Sequence, residues 1–546
     1  MLRALLPVLE FEEMYPLSRE RERVRVRAYA KSSGFASALS LRGPHLPSPA
    51  CGRGEHNAFI SVTTYIWRFL LALLALLALL ALAGLCASIP ASAAPQAGHS
   101  CHMPGYDQAL RCVTVSAPLD YRNPSGPKLA LQVTLAPALR EAARPDPLFV
   151  LAGGPGQAGS DILPLLETAF RRIRATRDIV FIDQRGTGLS GKLDCDSKEP
   201  LDESSSAEQE RLIALCMHRL NQPFAFYNTE NSARDLEQIR VALGYEKIDL
   251  WGASYGTRLA QAYARLYPGN VRAMILDAVA APDQIIFAWG RDAQAALDAT
   301  FQHCAEDRDC HAAFPTLAQQ FAALQKRVDD GAVTLDFKHP RTAAQVNLRL
   351  TAERFAQTVR GALYSPDSAS RLPFLIDSAA RGNWAPFLAQ MVSTSDFSLD
   401  GPAVGLLLSV TCAEDIPRLT PAIVADEESH SFLHGMEVKT VPTWCRSVNV
   451  PAIATSPPAQ IAAPVLLLSG ALDPVTPPYR ADGAARYMAH AQRFVVANAA
   501  HGVSQLGCAP RLLREFVDLP ERTLVADCLK EIPRSSFQLD AAGPHP

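Results

Sequence analysis

Charged residues are sparse in this sequence, and neither sign dominates. They make up 20% of its 546 residues, and the formal net charge is -3 at pH 7. Residues 1–68 carry an excess of basic residues, so the rest of the chain is mildly acidic. Nucleic acids select dense basic surfaces. The composition therefore predicts no nucleic-acid partner.

Metal-binding and phosphate-binding motifs are missing as well. No two cysteines have the C-x-x-C spacing that is typical of zinc sites, and the cysteines and histidines of residues 304–311 lack a second ligand pair. No lysine in P-loop register follows the glycines of residues 153–156. The sequence thus argues against a zinc site and against a nucleotide-phosphate loop.

One long apolar run, residues 69–86, lies near the start of the chain. Arg68 precedes it, and the small residues 91–94 follow it, as at a signal-peptidase site. Residues 69–94 are therefore predicted to be a signal peptide or, because the run is just long enough to span a bilayer, a retained membrane anchor. Membrane contact is expected only in the second case. Residues 1–68 are interpreted as an N-terminal extension, either a misassigned translation start or a cytoplasmic tail.

The ten cysteines beyond this segment also bear on location. An even number suits an oxidising compartment, so we expect export to the periplasm or the extracellular space. The cysteines fall in couples that are close in sequence, although connectivity stays open and one or two couples could be free, buried thiols. The predicted disulfides are Cys101–Cys112, Cys195–Cys216, Cys304–Cys310, Cys412–Cys445 and Cys508–Cys528.

Short apolar runs alternate with helix-like segments in most of the chain. Nearly continuous apolar runs are typical of strands that are covered on both faces of a parallel sheet. Such alternation indicates an α/β fold with helices on both faces of a mostly parallel sheet. The predicted strands are residues 129–135, 148–152, 179–182, 248–251, 273–276, 465–469 and 494–497, and helices such as 232–243 and 258–267 separate them.

The pattern changes between residues 282 and 463, which predicts a large, mainly helical insertion. This insertion would divide the sheet domain into a first part, residues 95–281, and a C-terminal part, residues 464–546. Its position after one strand and before the next places a lid over the carboxyl edge of the sheet. The predicted helices of the lid are residues 293–306, 317–328, 352–363 and 371–380.

The most informative motif is Gly-Ala-Ser-Tyr-Gly at residues 252–256, between a predicted strand and a predicted helix. So sharp a turn holds its serine in strained dihedral angles and exposes the hydroxyl, and flanking glycines remove the Cβ atoms that would clash. The motif predicts Ser254 as a nucleophile. The alternative is a small residue in a turn where helix and strand merely approach closely.

Two later residues complete a catalytic arrangement. Asp473 follows one predicted strand and His501 follows the next, which gives the chain order Ser, Asp, His of α/β-hydrolases. His501 would accept and return the proton of Ser254, and Asp473 would orient the imidazole. Asp277, also at a strand end, is the rival acid, and His501 could instead be a polar loop residue.

Acyl transfer also needs donors for the oxyanion. The backbone N–H of Tyr255 follows the nucleophile, and the loop at residues 153–156 can supply a second N–H from Gly154 or Gly153. Asp183 and Arg185 are expected to stabilise this loop rather than act chemically.

Together these motifs resemble the proline iminopeptidase and tripeptidyl aminopeptidase group of α/β-hydrolases. The resemblance covers residues 112–520 and implies a secreted serine exopeptidase that acts on the amino end of peptides, without a metal or organic cofactor. Ala152 departs from the group, because proline iminopeptidases usually have histidine there, and this weakens a strict prolyl specificity. The motifs lie at residues 153–156, 183–190, 228–229, 235–236, 252–256, 473–477 and 501–502.

Recognition of an amino end requires a carboxylate that offsets desolvation of the ammonium group. Glu414 is our first candidate and Asp415 the second, although solvated surface carboxylates are equally common. Thr476 is expected to hold the loop that carries Asp473. Two other functions stay open: a carboxylesterase, which needs no acidic subsite, and a catalytically silent envelope binding protein.

Overall fold

The structure is a computed structural model that describes residues 72–74, 98–195, 206–331, 333–339, 343–396, 401–454 and 456–544. The predicted extension at residues 1–68 and almost all of the predicted signal peptide or anchor at 69–94 lie outside these ranges. None of the helices in these ranges combines the length and the hydrophobicity that a membrane span requires. The fold below concerns residues 98–544.

Nine of the strands form one sheet in the part of the chain that the structure describes. Its order is β1-β2-β3-β5-β4-β6-β7-β10-β11, while β8 and β9 form a separate hairpin. The six strands from β5 to β11 are parallel, and β1, β2 and β3 add an antiparallel edge. The strands are β1 (His99–Met103), β2 (Tyr106–Pro118), β3 (Lys128–Ala136), β4 (Leu148–Leu151), β5 (Ile179–Ile182), β6 (Ile248–Ala253), β7 (Val271–Asp277), β8 (Thr334–Lys338), β9 (Gln345–Arg349), β10 (Val465–Gly470) and β11 (Ala491–Val496).

Helices cover both faces of this sheet, which is why the residues of β4 and β5 are buried throughout. The helices are α1 (Leu165–Thr168), α2 (Arg171–Arg174), α3 (Ser206–Leu220), α4 (Thr229–Leu243), α5 (Tyr255–Leu266), α6 (Gly290–Glu306), α7 (Arg308–Ala313), α8 (Leu317–Asp329), α9 (Ala352–Leu363), α10 (Pro366–Ala369), α11 (Leu372–Ala380), α12 (Ala385–Asp396), α13 (Val404–Glu414), α14 (Pro421–Ser429), α15 (Met436–Val448), α16 (Pro478–Ala485) and α17 (Ala509–Asp518). One apolar core joins the sheet to α4, α5 and α16, and a second joins its other face to α1, α2 and α17.

The chain between β7 and β10 forms α6 to α15 and the β8–β9 hairpin. All of these elements except α14 share an apolar core, to which α3 also contributes. Three phenylalanines stack at its centre, because the rings of Phe321 and Phe387 lie 5.7 and 5.1 Å from that of Phe355. Tyr255 of α5 belongs to the same core, so the insertion packs directly on the residue that follows Ser254.

All seven predicted strands are present, with bounds that differ by a few residues. Strands β1 and β2 and the β8–β9 hairpin were not predicted from the sequence. In these strands exposed polar residues alternate with less exposed ones, because one face is open to solvent. The hairpin also shows that the predicted helical insertion contains a small sheet.

The structure forms five disulfides within the described residues, and all five predicted pairings are confirmed. Four of them close loops of 21 residues or fewer. The bond between Cys412 and Cys445 spans 33 residues and joins α13 to α15 in the insertion.

Candidate active site

Ser254 lies at the turn between β6 and α5, at the carboxyl edge of the sheet. Its φ of 54° is positive, a conformation that a non-glycine residue keeps only where its surroundings fix it. The Ser254 N–H donates to the carbonyl of Asp277 at 3.0 Å, and the Ser254 carbonyl accepts from Thr257 N at 2.9 Å. The serine is therefore held firmly in the strained turn.

Two glycines permit this turn. A Cβ on Gly252 would lie 2.5 Å from the carbonyl oxygen of Gly256. A Cβ on Gly256 would collide with the carbonyl oxygen of Leu151 at the end of β4. Only glycine allows α5 to begin so close to β4 and β6, and the strand-turn-helix context predicted for residues 252–256 is confirmed.

Asp473 and His501 meet at the ends of the neighbouring strands β10 and β11. The His501 Nδ1 atom lies 3.0 and 2.9 Å from the two carboxylate oxygens of Asp473. Because an ionised carboxylate only accepts, Nδ1 carries the hydrogen and Nε2 of a neutral imidazole is left as a base. The Tyr364 ring of the insertion packs edge-on against the imidazole, with centroids 5.1 Å apart.

The turn after β10 holds the Asp473 carboxylate from the other side. Val475 N donates to it at 2.9 Å, and Thr476 donates through its backbone N–H and its hydroxyl, both at 2.8 Å. Burial alone would raise the pKa of Asp473, but the charge and hydrogen bonds of His501 and these N–H groups hold that pKa below its usual value. Thr476 thus holds this loop, as predicted from the sequence.

The ionised Asp473 in turn affects His501. Burial alone would lower the pKa of His501, yet the adjacent carboxylate outweighs burial, so the imidazole pKa is raised above 6.5.

Asp277, the rival acid, contacts different groups: its carboxylate accepts from Val503 N at 2.9 Å and from Ser504 N at 2.7 Å. Asp277 therefore fixes the loop after His501 and does not bond to the imidazole.

The glycine loop at residues 153–156 lies against the serine, since a Cβ on Gly153 would be 3.1 Å from the Ser254 Cβ. The Gly153 N–H donates to Gln157 Oε1 at 3.3 Å and so has a partner within the loop. Gly154 lines the same small pocket as Ser254 and Tyr255. The geometry favours Gly154 over Gly153 as the second oxyanion donor.

Asp183 and Arg185 both make structural contacts, but only Asp183 bonds to a residue close to the glycine loop. The Asp183 carboxylate accepts from Ser160 N at 2.9 Å and Leu189 N at 2.8 Å. Arg185 is fully buried and binds both oxygens of Asp235 on α4, at 2.7 and 2.6 Å. Asp183 therefore joins the segment that follows the glycine loop to the loop of residues 183–190, and Arg185 joins that second loop to α4.

The insertion contributes to the pocket at Ser254. Trp289, just before α6, lines the pocket together with Tyr255, Arg258 and Thr476. Sequence reasoning identified neither Trp289 nor Tyr364 as part of the site, because an aromatic residue in a helical insertion has no pattern that separates a pocket wall from a core. Across the described ranges, no group of three or more His, Cys, Asp or Glu side chains could hold a metal ion.

The two predicted amino-end carboxylates already have partners inside the protein. Glu414 accepts from the Thr229 backbone N–H and hydroxyl, both at 2.7 Å. Asp415 is fully buried and pairs with Arg258 at 3.0 Å and Arg418 at 2.5 Å. Asp415 is buried and Glu414 is half-buried, and the charge of Asp415 is balanced by two guanidinium groups.

Comparison with known proteins agrees with this geometry. Residues 146–504 match the family model described as alpha/beta hydrolase fold. The chain belongs to this family. The resemblance and the fold class inferred from the sequence are thereby confirmed.

Relatives of this α/β-hydrolase include named peptidases. Serine protease Hip1 of Mycobacterium tuberculosis is 28% identical over 412 residues, which cover 67% of this chain and 76% of the relative. A tripeptidyl aminopeptidase of Streptomyces coelicolor is 31% identical over 222 residues, 36% of this chain and 41% of that protein. A solved proline iminopeptidase of Mycobacterium smegmatis is 16% identical with a TM-score of 0.32, covering 75% of this chain and 94% of the other. This α/β-hydrolase is a serine hydrolase that is similar in sequence to peptidases.

Proposed function

We propose that this α/β-hydrolase is an exported serine peptidase that hydrolyses peptide bonds near the free amino end of peptides. The observation that carries the proposal is the arrangement at the carboxyl edge of the sheet. There Ser254 lies in a strained turn at the end of β6, and the His501–Asp473 pair lies at the ends of β10 and β11. The similarity to serine protease Hip1 and to a tripeptidyl aminopeptidase supports a peptide substrate.

In the proposed mechanism, His501 Nε2 accepts the hydroxyl proton of Ser254 as Oγ attacks the scissile carbonyl carbon. Asp473 holds the imidazole and stabilises its charged form. The C–N bond then breaks, the leaving amine takes the proton from His501, and an acyl-enzyme remains on Ser254. Water activated by His501 hydrolyses this ester and restores the hydroxyl.

Two N–H groups would bind the oxyanion of each tetrahedral intermediate. One is the backbone N–H of Tyr255, the first residue of α5, and the second is that of Gly154. A donor of this kind contributes about 3 kcal/mol to transition-state binding. No metal or organic cofactor takes part in this mechanism.

Export is supported by the disulfides. Such bonds persist in the periplasm and outside the cell, whereas reducing pools keep cytosolic thiols free. We propose residues 69–94 as the export signal, and membrane contact is confined to a form that retains them.

The amino-end preference needs a carboxylate that lacks a cationic partner. Trp289 of the pocket wall donates to Glu437, and the next residue, Gly290, donates through its N–H to Glu427 at 2.6 Å. Burial, together with nearby acids that include Asp292, raises the pKa of Glu427 to about 7, and no described residue forms an ion pair with it. A substrate ammonium would supply the missing charge, so we propose Glu427 for this role. Asp415 does not meet the requirement, because Arg258 and Arg418 already balance its charge.

A hydrolysis panel tests this function. It compares aminoacyl and tripeptidyl amides, each with a free or acetylated amino end, with short-chain aryl esters. The exopeptidase proposal predicts that acetylation abolishes amide cleavage, and that Glu427→Gln raises KM for free-amino substrates alone. If acetylation has no effect while esters turn over rapidly, the enzyme is a carboxylesterase. Absence of both turnover and fluorophosphonate labelling would indicate a silent binding protein.

A further inference from the structure

Glu414 is joined to the residue after the nucleophile by a continuous chain of hydrogen bonds. Its carboxylate accepts from the Thr229 hydroxyl at 2.7 Å, and the same hydroxyl lies 2.8 Å from the phenol oxygen of Tyr255. Thr229 and Tyr255 are both buried. The chain therefore runs from the end of α13 in the insertion, through the start of α4, to the start of α5.

The direction of these hydrogen bonds follows from the number of hydrogens available. The Thr229 hydroxyl has a single hydrogen, which the carboxylate of Glu414 takes because that group can only accept. The hydroxyl must then accept from Tyr255, so the phenol donates. Thr229 N also donates to Glu414 at 2.7 Å. An ionised Glu414 thus fixes two donors of Thr229 and, through them, the side chain of Tyr255.

Glu414 lies in a different cavity from the nucleophile. The cleft that it lines is bounded by Thr229, Glu230, Arg265 and Arg418, and Ser254 is not part of its wall. The Ser254 pocket contains Tyr255 and Arg258 in its wall but not Glu414. The carboxylate therefore contacts Tyr255, through Thr229, from outside the Ser254 pocket.

The other end of the same helix contacts the glycine loop. Ala403, the residue before α13, donates its N–H to Gly156 O at 2.9 Å, and a Cβ on Gly156 would lie 2.9 Å from that nitrogen. The start of α13 therefore contacts the loop that carries Gly154, one of the two oxyanion donors. The end of α13 contacts Tyr255, the other donor, through Glu414 and Thr229. Small displacements of such donors lower catalytic rates strongly.

We propose that Glu414 is a positioning residue for the oxyanion hole: through Thr229 it holds Tyr255 in place, and it does not bind the amino end of the substrate. The proposal depends on serine acyl transfer and is independent of the amino-end preference. Loss of Glu414 should therefore lower kcat for every substrate that forms a tetrahedral intermediate, whether its amino end is free, acetylated or absent.

The test is steady-state kinetics of Glu414→Ala, Glu414→Gln and Thr229→Val on a free tripeptidyl amide, its acetylated form and an aryl ester. For Glu414→Ala and Thr229→Val we expect kcat to fall about tenfold to a hundredfold on each substrate that the wild type cleaves, with KM changed less than about twofold. Glu230→Ala is the matched control, because it removes a half-buried acid from the same cleft, and it should leave both constants unchanged.

Glu414→Gln separates hydrogen bonding from charge. The glutamine oxygen can accept from Thr229 N while its NH₂ group donates to the Thr229 hydroxyl, whose hydrogen then turns to Tyr255. Positioning therefore survives, and we expect at least half of the wild-type kcat. If Glu414 instead bound the substrate ammonium, both variants would lose the negative charge that this binding needs.

Two results would overturn the proposal. One is a rise in KM for the free-amino substrate alone, with unchanged ester hydrolysis, which would make Glu414 the amino-end residue. The other is wild-type kinetics in Glu414→Ala. If that variant does not fold, Tyr255→Phe replaces it, since this change removes the phenol donor and keeps the backbone N–H. Wild-type kcat in Tyr255→Phe would be equally decisive against the proposal.

Discussion

The imidazole of His501 and the carboxylate of Asp473 face each other across neighbouring loops, with Nδ1 2.9 Å from one carboxylate oxygen and 3.0 Å from the other. Asp473 → Asn would replace one of these oxygens with an NH₂ group that donates. Nδ1 would then accept, the hydrogen would move to Nε2, and the base toward Ser254 would be lost. We expect kcat/KM to fall about 10⁴-fold without loss of fold.

Kinetics on an amide or ester substrate, with circular dichroism of the variant, would measure this effect. Asp277→Asn is the informative comparison, because it alters a buried acid that binds Val503 and Ser504 but not His501. Its main effect should be a lower unfolding temperature. A larger catalytic loss in Asp277→Asn than in Asp473→Asn, at equal folded fraction, would reverse the assignment of the acid.

Ser254→Ala should abolish turnover and fluorophosphonate labelling. Alanine keeps the Cβ, so the strain at φ 54° is unchanged, and the unfolding midpoint should stay within about 2 °C of wild type. Labelling followed by mass spectrometry, together with a thermal melt, measures both. Residual turnover above a mock preparation would exclude Ser254 as the nucleophile.

The raised pKa of His501 sets the acid limit of activity. Only the neutral imidazole accepts a proton, so activity should fall as pH decreases through its pKa, and the half-maximal point should lie above 6.5. The rate of fluorophosphonate labelling against pH reports this value in the free enzyme. In Asp473→Asn the cause of the rise is removed, so the midpoint should move to lower pH. An unchanged midpoint would show that another group controls the profile.

The disulfide that joins α13 to α15 should contribute more stability than the shortest one. Closing the 33-residue loop between Cys412 and Cys445 is worth about 4 kcal/mol in the chain-entropy model, against about 2 kcal/mol for the six-residue loop of Cys304 and Cys310. Replacing both cysteines of each pair by alanine and measuring unfolding in urea compares the two. Equal losses would contradict this ranking.

The parallel part of the sheet could be predicted from the sequence because β4, β5 and β10 are buried on both faces and are apolar, apart from Ser469 and Gly470 at the end of β10. Strands β1 and β2 could not, because one face is exposed and polar residues interrupt the apolar pattern. The disulfides were predictable because each pair is local in the chain.

Part of the candidate site could likewise be predicted from the sequence, and part could not. Ser254, Asp473 and His501 each follow a recognisable strand, so their meeting at one edge follows from the topology. Glu414 and Asp415 were recognised as acids, but their partners Thr229 and Arg258 lie more than 150 residues earlier. A single sequence does not show that these residues are close in space. The partners of a carboxylate determine whether it can also bind a substrate.

Helix α13 also limits how such a lid can be exchanged. Its two ends form hydrogen bonds with Gly156 and Thr229 of the hydrolase core, so it supports the candidate active site although it lies within the insertion. A chimera in which another lid replaces all of residues 282–463 would lose this support together with the wall of the substrate pocket. Grafts that end before Ala403 would keep the contacts of α13 but should also retain Tyr364, because its ring packs on His501 and its carbonyl accepts from His501 N at 3.2 Å.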